Sequence, residues 1–169
     1  IDLTERCLYW LTYVLRYKRP PGKSLEVGCA HGGFVMLMKM AGFDAVGSEM
    51  SPWVVNYASN AFDVPILRGR IEELPVEPSS YDCILLLDVL EHLPHPDASL
   101  QVISSLMKPD GVLVIQTPHY KDESLTYEEM RASQHTFLQM MEDLGHLFLF
   151  TEGGLRQILF RAGLHHIAF

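Results

Sequence analysis

Apolar positions along this chain recur with two different periods, and the switches between them mark out its elements. Over residues 2–17, Leu3, Cys7, Trp10, Leu11, Val14 and Leu15 fall on one face at helical spacing, which predicts an amphipathic helix. Asp2 and Glu5 stand at capping-box spacing at its start, and Pro20-Pro21-Gly22 stops it. Ser24–Val27 reads as a short strand, Gly32–Ala41 as a helix ended by Gly42, and Asp44–Ser48 as a second strand. Ser51-Pro52 caps and opens a helix reaching Ala61, because Pro is tolerated in a first helical turn. Pro65–Leu67 is a third strand, and Gly69–Ser80, with two prolines and three glutamates, is a loop.

Cys83–Leu87 is apolar without alternation, as expected of a parallel strand buried on both faces. A helix from Pro96 carries Leu100, Ile103 and Leu106 inward, Lys108-Pro109-Asp110-Gly111 turns the chain, and Val112–Gln116 is a fifth strand. His119–Gly145 departs from this alternation: it is polar at first, then helical from Tyr127 to Met141. A last helix runs from Thr151 to Ala162, closed by Gly163, and Leu164–Phe169 reads as a sixth strand. Alternating strands and helices predict an α/β fold, a Rossmann-like, doubly wound, mostly parallel sheet with helices on both faces.

The chain of 169 residues reads as one domain: an N-terminal helix (1–21), a core (24–118), an insertion (119–145) and a final helix and strand (146–169). Its 48% hydrophobic and 20% charged residues are those of an ordinary globular protein. A formal charge of −8 argues against a nucleic-acid partner, since phosphate binding draws on clustered Lys and Arg. No apolar run reaches the roughly 20 residues that span a bilayer, so no membrane partner is expected. Cys7, Cys29 and Cys83 lack metal-like spacing and read as reduced thiols of a cytoplasmic protein. The sequence begins at Ile1, not Met, and the expectation is a piece of a longer chain or a sheet completed by a partner in an oligomer.

The chemistry concentrates in Ser24–Met50. Gly28-Cys29-Ala30-His31-Gly32-Gly33 between strand and helix fits a degraded dinucleotide fingerprint, Gly-x-Ala-x-x-Gly, and equally the looser turn of a methyl-donor site. Such a turn brings backbone N–H groups and a helix N-terminus to a ligand. Glu49 lies 21 residues beyond Gly28, close to the roughly 20-residue spacing at which a carboxylate binds a ribose diol. Glu26 separates the two templates. A carboxylate just before the turn opposes a pyrophosphate but suits a cofactor with a free ammonium and a sulfonium, which favours S-adenosylmethionine.

The segments LEVGCAHGGF, VGSEMSPWVVNYA, GRIEELP, YDCILLLDVLEHLPHP and LMKPDGVLVIQTP resemble, in order, the motifs of class I S-adenosylmethionine-dependent methyltransferases, and among them the group containing the ubiquinone-pathway O-methyltransferases. The resemblance covers about residues 24–118, with a further match in GHLFLFTEGGLRQILFRAGL. It implies S-adenosylmethionine as cofactor, S-adenosylhomocysteine as product, and a small-molecule acceptor methylated on oxygen. It also implies that Glu26 and the backbone of Gly28, Ala30 and Gly32 hold the methionine part, and that Glu49 binds the ribose hydroxyls. Met50 would pack on adenine, Ile71 would lie at its rim, and Asp88 would lie near the methionine end. Relatives usually carry Gly at Ala30 and often an acid at Arg70, where Arg cannot accept a hydrogen bond from the base. They also carry a final antiparallel strand that this sequence lacks.

Asp88-Val89-Leu90-Glu91-His92 follows the fourth strand, and His146 matches a histidine placed before the last helix in relatives. An imidazole suits removal of a hydroxyl proton, because its ordinary pKa of about 6.5 lies near working pH. His92, His146 and Glu91 are therefore the catalytic candidates; the alternative is that Glu91 and His92 merely cap the following turn. Methyl transfer needs no metal and none is expected, although Asp88, Glu91, His92 and His146 resemble a divalent-metal cluster of some relatives. Phe137, Met140 and Met141 are candidates for an apolar substrate cavity. A nucleotide-dependent oxidoreductase and a silent cofactor-binding interaction module remain the rival functions.

Overall fold

The computed structural model describes residues 3–120, 125–136, 138–139 and 145–169. Its elements are α1 (Leu3–Tyr17), β1 (Lys23–Val27), α2 (Gly33–Met40), β2 (Asp44–Glu49), α3 (Pro52–Phe62), β3 (Ile66–Arg68), β4 (Tyr81–Leu87), α4 (Pro96–Leu106), β5 (Met107–Gln116), α5 (Tyr127–Ala132) and α6 (Glu152–Arg161). Short 3-10 turns cover Ile71–Glu73 and Leu90–His92. The strands form one sheet in the order β3-β2-β1-β4-β5. Pairing of β1 with β2 and β4, and of β2 with β3, is parallel, with Glu26 opposite Gly47 and Leu85. The Rossmann-like reading is therefore correct.

The chain divides into two compact units, Ile1–Leu87 with Val102–Ile115, and Asp88–Gln101 with Gln116–Phe169. The first has a core of Val14, Phe34, Val35, Met38, Phe43, Ala45, Cys83 and Leu85, against which Cys7, Trp10, Leu11 and Leu15 of α1 pack. This is the helix face that the apolar spacing foretold; Asp2 lies outside the described residues. At the far end of the sheet, Asp82 accepts hydrogen bonds from Lys108 Nζ (2.7 Å) and the Lys23 N–H (2.8 Å), and Lys18 Nζ lies 3.4 Å away. Burial pushes its carboxyl up, but these partners prevail and hold it below the usual range.

Gly47 is a packing requirement. A Cβ there would collide with Cys29 Sγ, lie 2.9 Å from Cys29 Cβ and 3.0 Å from Val35 Cγ2. We expect Gly47→Ala to destabilise the chain by about 1–3 kcal/mol, the usual cost of overpacking. Urea unfolding measures this, and an unchanged midpoint would contradict the tight approach of β2 to the glycine turn.

In the second unit, Tyr120, Met130 and Leu138 form a smaller core, joined by Leu125 and Leu149. Two sequence expectations are corrected by the structure. The helix foreseen over Tyr127–Met141 is interrupted after Ala132. Ser133 turns its hydroxyl back to the Glu129 carbonyl (2.9 Å), a bond that competes with helix propagation, and Gln134 takes a left-handed φ of 51°. Leu164–Phe169 is not a strand: Leu164 N–H closes α6 on the Leu159 carbonyl, and the tail follows α6 instead. There the His165 ring meets Phe160 at 4.8 Å and Arg156 lies 4.7 Å over Phe169. The Lys108–Gly111 turn falls within the span of β5, and the chain does turn there, since a Cβ on Gly111 would lie 2.9 Å from the Lys108 carbonyl oxygen. Phe137, Met140 and Met141 lie outside the described residues. Among the described residues, no helix is long and apolar enough to cross a membrane.

Candidate functional site

The glycine turn is built from left-handed backbone. Gly28 (φ 65°), Ala30 (φ 45°) and Gly32 (φ 76°) alternate with ordinary residues between β1 and α2. The turn is tied by Cys29 N–H to the Ser48 carbonyl and by Gly32 N–H to the Cys29 carbonyl, both at 2.9 Å. Gly32 caps α2, and a Cβ there would sit 2.9 Å from Val64 Cγ2, so only Gly fits. Ala30 lacks that freedom and bears left-handed strain of about 1–2 kcal/mol. Strain of this kind gathers at binding loops.

Beneath this turn lies Glu26, 8% exposed. Its carboxyl accepts a hydrogen bond from the Val35 N–H, one of the α2 N–H groups that have no partner within the helix. Its Oε2 is buried without any partner among the described residues. Burial pushes the Glu26 pKa up to about 8, with the Val35 bond pulling the other way. Buried acceptors are nearly always satisfied, so an orphaned carboxyl oxygen marks a place for a ligand donor. A cation such as an α-ammonium fits it; a phosphate does not.

Glu49 ends β2. Its Oε1 accepts from Met50 N–H (2.7 Å) and Ser51 N–H (2.9 Å), which fixes the carboxylate and leaves Oε2 without a donor among the described residues. Ser51 caps α3 through its hydroxyl, and Met50 is 59% exposed, an apolar side chain left open beside Glu49. Ile71 opens the 3-10 turn capped by Arg70, but its side chain is 4% exposed, so any contact with a ligand falls to its backbone. Arg70 is exposed. His31 is also exposed, its ring edge-on to Tyr57 at 5.3 Å, and Tyr57 stacks on Trp53 at 5.8 Å. That aromatic row carries no periodic signal and was not foreseen.

The second unit brings the remaining candidates together. Asp88 follows β4 with φ 57°; its N–H donates to the Gln116 carbonyl (2.9 Å) and its Oδ1 accepts from Gln116 Nε2 (2.6 Å). Glu91 is fully buried. Its Oε2 accepts from the Thr117 hydroxyl at 2.9 Å, and its backbone carbonyl receives the N–H groups of Leu147 (2.9 Å) and Phe148 (3.2 Å). Glu91 Oε1 has no hydrogen bond and lies 3.8 Å from Nε2 of His146, whose imidazole is 4% exposed and whose Nδ1 has no partner among the described residues. His92 is exposed, with Nδ1 3.3 Å from the Gly145 carbonyl and its ring 4.6 Å from that of His146. Ligand atoms of Glu91, His92 and His146 lie within 4.8 Å of one another, a spacing that can hold a metal ion; Asp88 is outside this group.

The His95 carbonyl accepts the Ser99 N–H at the start of α4, and His119 bridges Phe150. On α2, Met38 is buried in the core and Met36 packs against that core, whereas Met40 is 72% exposed. Gln116, the last residue of β5, and Thr117, the first beyond it, were not foreseen.

A sheet of this order, a left-handed glycine turn after β1 and a carboxylate at the end of β2 define the Rossmann-like class that binds adenosine-containing cofactors. Within that class the chain belongs to the methyltransferase-domain family, which it matches over residues 2–168. The ubiquinone biosynthesis O-methyltransferase of Xanthomonas campestris pv. campestris (strain B100) is 31% identical over 114 residues, which are 63% of this chain and 48% of that protein. The chain thus spans about half the length of the curated relatives it matches. Among solved structures, the YcgJ protein of Bacillus subtilis shares the fold with a TM-score of 0.77 and 15% identity, over 94% of this chain and 68% of that one. Phosphoethanolamine N-methyltransferase 2 of Haemonchus contortus, in complex with S-adenosyl-L-methionine, aligns with a TM-score of 0.76 and 18% identity, over 94% and 36%. This membership is that of class I S-adenosylmethionine-dependent methyltransferases.

Proposed function

We propose that this chain is the catalytic domain of a cytoplasmic methyltransferase that uses S-adenosylmethionine to methylate a hydroxyl group of a small molecule. The observation that carries the reading is the buried, half-satisfied carboxyl of Glu26 beneath the glycine turn. The bound cofactor supplies a methyl group already activated by a positive sulfur. Glu26, with the backbone of Gly28, Ala30 and Gly32, holds its amino-acid end. Glu49 takes the ribose diol on its open oxygen, and Met50 and the backbone at Ile71 meet the base. Asp88, which the resemblance assigns to the methionine end, has its carboxylate fixed by Gln116.

The acceptor hydroxyl must lose a proton, and His146 is the base, backed by Glu91, with the exposed His92 next to it. The identity with an O-methyltransferase supports oxygen as the acceptor atom. The test joins calorimetry with a substrate panel. S-adenosylmethionine and S-adenosylhomocysteine should bind, and labelled methyl should reach at least one of a set of phenols and catechols; binding without transfer to any of them would favour the silent interaction module. Glu49→Ala should weaken S-adenosylmethionine binding by about 1–3 kcal/mol, the cost of leaving polar partners unpaired. Unchanged affinity would remove its ribose role.

A second reading rests on the spacing of Glu91, His92 and His146: these residues hold a divalent cation that would act as a Lewis acid on the hydroxyl. Turnover abolished by a chelator and restored by magnesium would establish it; turnover indifferent to chelation would exclude it.

A further inference from the structure

Asp88, the first residue beyond β4, is held in a conformation that most residues avoid. Its φ of 57° is left-handed, a strained state for a residue with a Cβ, and Asp is among the few that tolerate it. Such strain persists only where the surroundings over-determine it. Here one residue does so with two bonds. The Gln116 carbonyl accepts the Asp88 N–H at 2.9 Å, and Gln116 Nε2 donates to Asp88 Oδ1 at 2.6 Å. The backbone bond ties together the ends of two neighbouring strands, β4 and β5. The amide bond acts on the carboxyl alone.

The latch lies where ligands bind. The sheet order β3-β2-β1-β4-β5 reverses between β1 and β4, and open α/β sheets take ligands beyond the carboxyl ends of their strands at such a reversal. The first residue beyond β1 is Gly28, and the first beyond β4 is Asp88. Backbone geometry alone does not call for a charge at Asp88, since Gly or Asn enters the left-handed region at least as readily. The kind of latch matters too. A carboxylate only accepts hydrogen bonds, so the amide nitrogen must face it, and an amide brings no charge of its own. Near the start of the same strand, Asp82 is held by the ammonium groups of Lys108 (2.7 Å) and Lys18 (3.4 Å), which balance its charge. Gln116 orients Asp88 without cancelling its charge.

We propose that Gln116 is a positioning residue: its amide fixes the direction of the Asp88 carboxylate, and that carboxylate serves the cationic, amino-acid end of the methyl donor. This inference rests on the methyl-donor reading above. An ammonium has three N–H donors, so one carboxylate does not exhaust it. A side chain left free to rotate must be ordered when the ligand arrives, and that ordering weakens binding. The Gln116 amide removes this freedom in advance.

Titration calorimetry of wild type and Gln116→Met tests this with three ligands: S-adenosylmethionine, S-adenosylhomocysteine and 5′-methylthioadenosine, which keeps the adenosine and lacks the amino-acid part. Met keeps the length of the side chain and the backbone bond to Asp88, and removes only the amide. Affinity for the first two ligands should fall about tenfold, the size of one oriented hydrogen bond, while that for methylthioadenosine holds. Asp88→Gly removes the carboxyl and suits the left-handed backbone. In that background Gln116→Met should have little further effect, because the two side chains act as one unit. Equal losses for all three ligands would make Gln116 merely structural, and unchanged affinities would leave it no role; either result overturns the proposal. A full, additive loss in the Asp88→Gly background also overturns it. If Gln116→Met does not fold, Gln116→Leu, read in the same way, takes its place. A wild-type chain that binds none of the three ligands overturns the methyl-donor reading itself, and the inference with it.

Discussion

Affinity for S-adenosylmethionine should rise about tenfold from about pH 6 to about pH 7 in the wild-type chain and less steeply from there to about pH 8, and should be nearly flat over that range in Glu26→Gln. Burial raises the Glu26 pKa to about 8, so near neutral pH the empty site is mostly uncharged. An ammonium placed against Oε2 favours the ionised form, and binding must then release the proton. Well below the folded pKa, each fall of one pH unit costs the binding equilibrium about a factor of ten, since the ionised fraction of the empty site falls about tenfold. Calorimetry in buffers of different ionisation enthalpy reads both the slope and the proton released. A flat profile in wild type would show that the cofactor amine does not pair with Glu26.

The same shift makes a stability statement of definite sign. The folded pKa lies above the ordinary value of 4.5, so the folded state binds more protons than the unfolded one across this window. The contribution of neutral Glu26 is complete below about pH 4.5 and is lost as pH rises through about 8. Cofactor and stability therefore pull in opposite directions on one carboxyl, as expected where a buried group is kept for a ligand.

The second large effect is expected at His146. His146→Ala should reduce turnover by about 10²–10⁴-fold, the usual contribution of a positioned base, while calorimetric affinity for S-adenosylmethionine is unchanged. The imidazole is buried against a carboxyl and carries a bare nitrogen, whereas His92 is exposed and faces a backbone carbonyl. The loss in His92→Ala should accordingly be the smaller of the two. Turnover that survives His146→Ala, or falls only in step with cofactor affinity, would move the base elsewhere.

How far these residues could be read without coordinates depended on sequence distance. Glu26, the glycine turn and Glu49 lie within one strand-turn-helix-strand unit, where spacing alone fixes the relation of each to the others. Even there, the pattern named a carboxyl but not its orphaned oxygen, which is a consequence of burial from several elements. Thr117 was illegible because its partner lies 26 residues earlier and the two meet only through the pairing order β4-β5. The helix read through Tyr127–Met141 failed at Ser133, where a local hydroxyl-to-carbonyl bond competes with propagation. The final strand failed because a short apolar run is equally content to pack on its own helix, as Leu164–Phe169 does on α6 through Phe160 and Arg156.

The central claim is that the site beneath Gly28–Gly32 takes a methyl donor and not a dinucleotide. Titration calorimetry of the wild-type chain at about pH 8, where Glu26 is half ionised or more, tests it most directly. S-adenosylmethionine and S-adenosylhomocysteine should each bind at one site per chain, with no heat from NAD. A clear preference for NAD would contradict the account.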